Sequence, residues 1–329
     1  MSVDNGVKMI AGFTFFYPTL SRQFMHLLIR RLVIVMAGLA IWGTGTRAQA
    51  QIFVTDETGG TIGEYSLDGS TINSSLVSGL SSPGLGLALS GTNLFVGTNG
   101  SWVQEYTTSG APVATPLITF LPAVNGIAIS GSDMFVVNSS NVSEFTLSGA
   151  PVSNPLVTNL HGNPVFIAAS SSDIFVANFG SGTVSEYTLS GSLVNADLIT
   201  VSSPDGIVVS GNDLFIASSD NGTIGEYTIS GTVVKASLVT GLQAPEALAL
   251  AGSDLYVVND FNSIAEYTVS GSIVNSALVT GLNSPGGLVV IAAPEPGSGS
   301  LLFLGLVLLM CTAAWMIPRK AKRNCTCPH

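Results

Sequence analysis

Between residues 51 and 293 the apolar residues come in short runs broken by Gly, Ser, Asn and Asp. No segment there keeps apolar positions at helical spacing for ten residues, which excludes amphipathic helices. Short apolar runs bounded by turn residues predict strands joined by tight turns. The runs are also periodic. A Glu-aromatic pair recurs at Glu64-Tyr65, Glu105-Tyr106, Glu144-Phe145, Glu186-Tyr187, Glu226-Tyr227 and Glu266-Tyr267, in steps of 41, 39, 42, 40 and 40 residues. A second anchor keeps the same pace at Phe53, Phe95, Phe135, Phe175, Phe215 and Tyr256.

A period near 40 built only of short apolar runs predicts the four-stranded blades of a β-propeller. One unit shows the pattern in full: Asp205–Ser210, Asp213–Ser218 with Phe215 facing the core, Thr223–Thr228, and Ala236–Thr240. The body opens at Gln51-Ile52-Phe53-Val54, a second strand with no first strand before it. It ends with Gly287-Leu288-Val289-Val290-Ile291, a first strand with nothing after it. The two halves complement each other. The expectation is an all-β, six-bladed propeller over residues 51–293, its ring closed by a C-terminal strand (286–292) pairing with the N-terminal three strands.

Alternation places Glu226 on the face of Ile224 and opposite Tyr227. A buried Glu needs a partner, and Thr or Ser hydroxyls on neighbouring strands are the expected ones. Six copies at one blade position read as a structural ladder.

Composition narrows the function classes. With 46% apolar and only 9% charged residues the chain is not disordered. The body carries 18 acidic residues and one basic residue, Lys235. Such a surface repels phosphate backbones, which excludes nucleic acid. Cations, basic partners and neutral glycans stay compatible, and the acidity also serves solubility. Cys311, Cys325 and Cys327 all lie beyond the body, so no disulfide staples it. Cys325, Cys327 and His329 fall one ligand short of a closed zinc site.

The two ends read as addresses. From Met25, the expected start, Arg30 and Arg31 precede the apolar stretch Leu32 to Trp42, and Ala48-Gln49-Ala50 follows. This is a secretory signal with cleavage after Ala50, making residues 1–50 an extension and leader. The other end, 294–329, reads Pro294-Glu295-Pro296, a Gly/Ser spacer, an apolar run Leu301 to Ile317, then Arg319, Lys320, Lys322 and Arg323. The apolar run predicts one transmembrane helix (301–317), and the basic cluster predicts a cytoplasmic end.

That order resembles the PEP-CTERM sorting signal of Gram-negative bacteria that make extracellular polysaccharide. The resemblance implies an inner-membrane-anchored intermediate, processing by an exosortase-type transpeptidase near the motif, and release to the cell surface or matrix. The extension Asn324 to His329 beyond the basic cluster departs from the pattern.

Chemistry, if the body has any, belongs at the channel mouth, just before each innermost strand. Leu85, Asn125, Val165, Asp205, Glu246 and Gly286 hold that position. The oxygens of Asn125, Asp205 and Glu246 suit Ca²⁺. The stretches Asn125-Gly126-Ile127 and Pro204-Asp205-Gly206 resemble NHL-repeat and gluconolactonase-type propellers, and the latter resemblance implies a metal held by Asn and Asp. The glutamate those enzymes supply from the opening blade is Gly286 here. The repeat also resembles streptogramin-inactivating lyases, which implies a channel histidine; the body holds only His161. Two functions stay open: an exported, monomeric, non-enzymatic propeller that binds glycan or protein, and a metal-dependent hydrolase or lyase.

Overall fold

A strand in this chain needs only five or six residues, because its apolar positions meet a neighbouring sheet on each face. The computed structural model describes residues 50–292 apart from Asn99, Gly100, Phe120, Pro122, His161, Asp260 and Phe261. The expected leader, the sorting motif with its membrane run and basic cluster, and His161 lie outside the described residues. Among the described residues there is no helix, and hence none long and apolar enough to cross a membrane.

The described residues form β1 (Gln51–Asp56), β2 (Thr61–Ser66) and β3 (Thr71–Ser78), then β4 (Pro83–Ser90), β5 (Asn93–Thr98), β6 (Trp102–Thr107) and β7 (Pro112–Ile118). Next come β8 (Gly126–Ser130), β9 (Asp133–Val137), β10 (Val142–Thr146) and β11 (Pro151–Val157), followed by β12 (Pro164–Ala169), β13 (Asp173–Asn178), β14 (Thr183–Thr188) and β15 (Leu193–Thr200). The last two groups are β16 (Pro204–Ser210), β17 (Asp213–Ser218), β18 (Thr223–Thr228) and β19 (Val233–Thr240), then β20 (Leu248–Ala251), β21 (Asp254–Asn259), β22 (Ser263–Thr268), β23 (Ile273–Thr280) and finally β24 (Pro285–Ile291). They make six four-stranded antiparallel sheets, five of consecutive strands and one ordered β24-β1-β2-β3. The innermost strands of neighbouring sheets touch all the way round, which is a six-bladed propeller. We number the blades from the one that holds β1.

Ring closure follows the expected pairing. Ile52 lies opposite Val290, Phe53 opposite Val289 and Val54 opposite Leu288, and the Glu57 amide donates to the Ser284 carbonyl at 3.0 Å. Only the bounds shift: the closing strand starts at Pro285 rather than 286, and β16 starts at Pro204. The fourth strand β19 starts at Val233 rather than Ala236. Val233 and Val234 are apolar yet more than half exposed, so this outermost strand has no in-out alternation to mark its start.

The core is divided into six apolar clusters, each drawn from two consecutive blades. Phe215, Ile224 and Val239 of blade 5, for example, pack on Leu248, Leu255 and Tyr267 of blade 6. Burial on both faces explains why the second strands are buried almost throughout. The glycine of the turn before each fourth strand is also fixed by packing. Gly231 has φ 82°, and a Cβ on it would sit 2.5 Å from the Leu198 carbonyl of the preceding blade.

Candidate functional site

The innermost strands enclose a central cavity of about 320 Å³ walled by aliphatic side chains, Leu85, Leu89, Ile129, Ala169, Val209 and Val290 among them. Phe166 also lines it, standing where blades 2, 3, 5 and 1 have Gly86, Gly126, Gly206 and Gly287. The expected oxygen donors Asn125, Asp205 and Glu246 sit at or just before the starts of these strands and do not line this cavity. The innermost strands carry near-continuous apolar runs, and these supply the wall.

The expected site residues divide. Asp205 and Glu246 come together with Asp220, Ser219, Asn163 and Phe179 around a cavity of about 350 Å³ where blades 4, 5 and 6 meet. Asn125 is elsewhere. Its amide Nδ2 donates to the Pro164 carbonyl at 2.7 Å, tying blade 3 to blade 4. The glycines that follow these residues serve close approach between innermost strands. A Cβ on Gly206 would collide with the Glu246 carbonyl, and one on Gly126 would lie 3.2 Å from the Ile167 amide. The Asn-Gly and Asp-Gly dipeptides thus have a packing reason of their own.

Asp205 is buried, and burial, with the Asp220 charge adding to it, pushes its carboxyl up to about 6 against a hydrogen bond from Ser219. Burial pushes Glu246 further, to about 8, with Asp205 and then Glu57 contributing. Glu57 is itself raised by burial. Two neighbouring carboxyls raised to different extents in this way lose their protons in separate steps. The sequence reading missed Glu57 and Asp220. Both lie in the turn that follows the second strand of a blade, β1 and β17, one position apart in the repeat. Ser202 and Ser203 hold Asp220 with hydroxyl hydrogen bonds at 3.3 and 2.5 Å. Among the described residues no three His, Cys, Asp or Glu side chains are grouped to hold a metal ion.

The recurring Glu is directly opposite the recurring aromatic in every blade, from Phe53 with Glu64 to Tyr256 with Glu266. Its partners differ from the expected hydroxyls. Gln51 donates to Glu64, Asn93 donates to Glu105 at 2.7 Å, and Tyr256 donates to Glu266 at 3.0 Å. Lys235 stands across from Glu226.

No protein-family model matches the chain, and no curated protein matches it either. Solved structures do. A chain of the nidogen/laminin complex superposes with a TM-score of 0.64 at 14% identity, covering 74% of this chain and 99% of that one. Virginiamycin B lyase from Staphylococcus aureus gives 0.55 at 20% identity over 72% of this chain and 84% of the enzyme. A catalytically inactive variant of that lyase with quinupristin gives 0.54 at 19% identity over 74% and 89%. At these identities the likeness is one of fold, and the fold is the six-bladed propeller.

Proposed function

We propose that this chain is an exported propeller that binds and displays glycan or protein at the cell surface or in the extracellular matrix, delivered there by an exosortase-type transpeptidase. The aliphatic wall of the channel carries this reading. A channel walled by apolar side chains leaves the acidic loops and the outer strands as the polar surfaces a partner meets. The export half rests on the leader and on the Pro294-Glu295-Pro296 tail with its apolar run and basic cluster. β1 begins at Gln51, the residue after the expected cleavage, which fits removal of the leader without loss of a strand. A propeller in the nidogen/laminin complex supports a display role by fold alone. Deleting 294–329 tests the route: the truncated protein leaves the envelope fraction for the medium. Unchanged fractionation overturns it.

The second reading, a metal-dependent hydrolase or lyase, is favoured by the Asp205–Glu246 pair and by the fold shared with virginiamycin B lyase. Asn125, whose amide is tied to Pro164, contributes at most its Oδ1 oxygen to a cation. Calorimetry of the full chain with Ca²⁺ decides it, and absence of heat at millimolar metal removes this reading.

A further inference from the structure

The six blades are near copies, so a position where one blade breaks the pattern is informative. Blade 4 breaks it at two residues that face one cavity. The cavity, about 620 Å³, opens between blades 3 and 4 toward the outer strands and is lined by Asn178, Ser185, Tyr187, Leu156, Leu193 and Asp197.

The first break is the aromatic of the Glu-aromatic pair. Tyr65, Tyr106, Phe145, Tyr227 and Tyr267 are all buried, whereas Tyr187 is partly exposed and forms a wall of the cavity. In blades 1 and 5 the ring closes over a glycine: a Cβ on Gly63 or Gly225 would come within 2.9 or 2.7 Å of the Tyr65 or Tyr227 ring. Ser185 takes the place of that glycine in blade 4.

The second break is Asn178, only 2% exposed. Its Nδ2 lies 2.8 Å from Ser185 Oγ and 3.4 Å from the Val176 carbonyl. Ser185 Oγ donates its one hydrogen to the Ala196 carbonyl at 2.6 Å. Ser185 can therefore only accept from Asn178, which fixes the amide orientation and leaves Oδ1 without a donor. It is the only such buried side-chain atom among the described residues. Blade 3 shows the satisfied version, where Asn138 Oδ1 accepts from the Ser140 and Asn141 amides at 3.0 and 2.9 Å. A buried acceptor left empty costs about 1–3 kcal/mol, so the site asks for a hydrogen-bond donor.

The rest of the lining narrows that donor's identity. Tyr187, Leu156 and Leu193 offer an apolar and aromatic wall, and the Asp197 carboxylate offers further acceptors. A body with 18 acidic residues and one lysine disfavours an anion. Among the remaining ligands the glycan-binding reading above selects an uncharged one that carries hydroxyl donors on its edge and presents a C–H face to the ring, the mixture that concave sites with few polar groups select. We infer that the cavity between blades 3 and 4 binds a neutral saccharide unit, with Asn178 Oδ1 accepting from a sugar hydroxyl and Tyr187 supplying the platform. This rests on the glycan-binding reading above and gives it a place.

The test is saturation-transfer-difference NMR on the full chain in detergent, with glucose, galactose, mannose and N-acetylglucosamine as probes, alongside co-sedimentation with insoluble polysaccharides. Leu193 is 58% exposed on the cavity rim, so Leu193→Trp fills the opening without touching the core. Val233→Trp, at the same place in blade 5 and 56% exposed, is the control. The expected result is transfer to at least one sugar, reduced at least about tenfold in Leu193→Trp and unchanged in Val233→Trp. Transfer that survives both variants, or none to any probe, overturns the site. In either case, continued co-sedimentation of the protein with polysaccharide leaves the glycan reading standing, and its loss removes that reading too. A crystal grown with the sugar that shows only a water on Asn178 Oδ1 also overturns the site.

Discussion

Tyr256 on β21 stands directly opposite Glu266 on β22, and its phenol donates a 3.0 Å hydrogen bond to the Glu266 carboxylate inside the wall of blade 6. The other five blades place phenylalanine there; Gln51 and Asn93 donate to Glu64 and Glu105, and Lys235 stands across from Glu226. Burial raises Glu266 above its ordinary value, and the phenol's hydrogen bond partly offsets that. A raised carboxyl contributes stability below its unfolded value, lost as pH rises through the folded one. Tyr256→Phe removes the offset, so its cost grows with pH. We expect a loss of about 1–2 kcal/mol at pH 7 and a smaller one at pH 4, read from urea denaturation. Equal losses at both pH values would show that the bond does not respond to the carboxyl's charge.

The Asp205–Glu246 pair gives the larger pH effect. Both carboxyls are raised, to about 6 and about 8, by burial first, with the Asp220 charge adding at Asp205 and the Asp205 and Glu57 charges adding at Glu246. In the unfolded chain both ionise near pH 4, so the native state falls behind progressively between pH 4 and pH 8. Glu246→Gln keeps the shape and removes the titration. It is expected to match the parent at pH 4 and to exceed it by roughly 1–3 kcal/mol at pH 9, measured as thermal stability across that range. A variant that loses stability at pH 9 would show that ionised Glu246 has a favourable partner.

What the sequence made legible follows from which positions packing constrains. The aromatic and Glu anchors are register partners, the aromatic buried in every blade and the Glu buried or partly buried beside it, so one pattern dictates both and repeats six times. Closure was legible because a lone second strand and a lone first strand each leave an open edge. The fourth strands were less so. Val233, Val234, Ile273 and Val274 are apolar but exposed, and an exposed outermost strand has no face to alternate against. The candidate site was half legible. Asp205 and Glu246 meet because their blades are neighbours, whereas the amide of Asn125 is used on the Pro164 carbonyl, a contact that no spacing announces. The Asn178 cavity was hidden for a different reason. It depends on the donor direction of a single serine hydroxyl, which only the folded geometry fixes.

Ring closure itself can be tested at Leu288. This residue lies opposite Val54, is 4% exposed, and belongs to the cluster that joins blade 6 to blade 1. Leu288→Asp removes apolar contact from that cluster and puts a charge in its place, with no cation in the cluster to pair it. The combined transfer and desolvation cost is about 3–5 kcal/mol. The propeller closes only through β24, so weakening this strand frees both open edges together rather than loosening one blade. Unfolding is expected to begin at blade 1, with early proteolytic cleavage between β1 and β3 while blades 3 to 5 remain protected. Ile273→Asp is the matched control, because Ile273 is 68% exposed on the outer strand of blade 6 and should change stability by no more than about 0.5 kcal/mol. Limited proteolysis read by mass spectrometry, with urea denaturation alongside, distinguishes the outcomes. If Leu288→Asp is cleaved uniformly around the ring, closure is not the last interaction the fold depends on. If it is as stable as Ile273→Asp, β24 does not hold the ring shut.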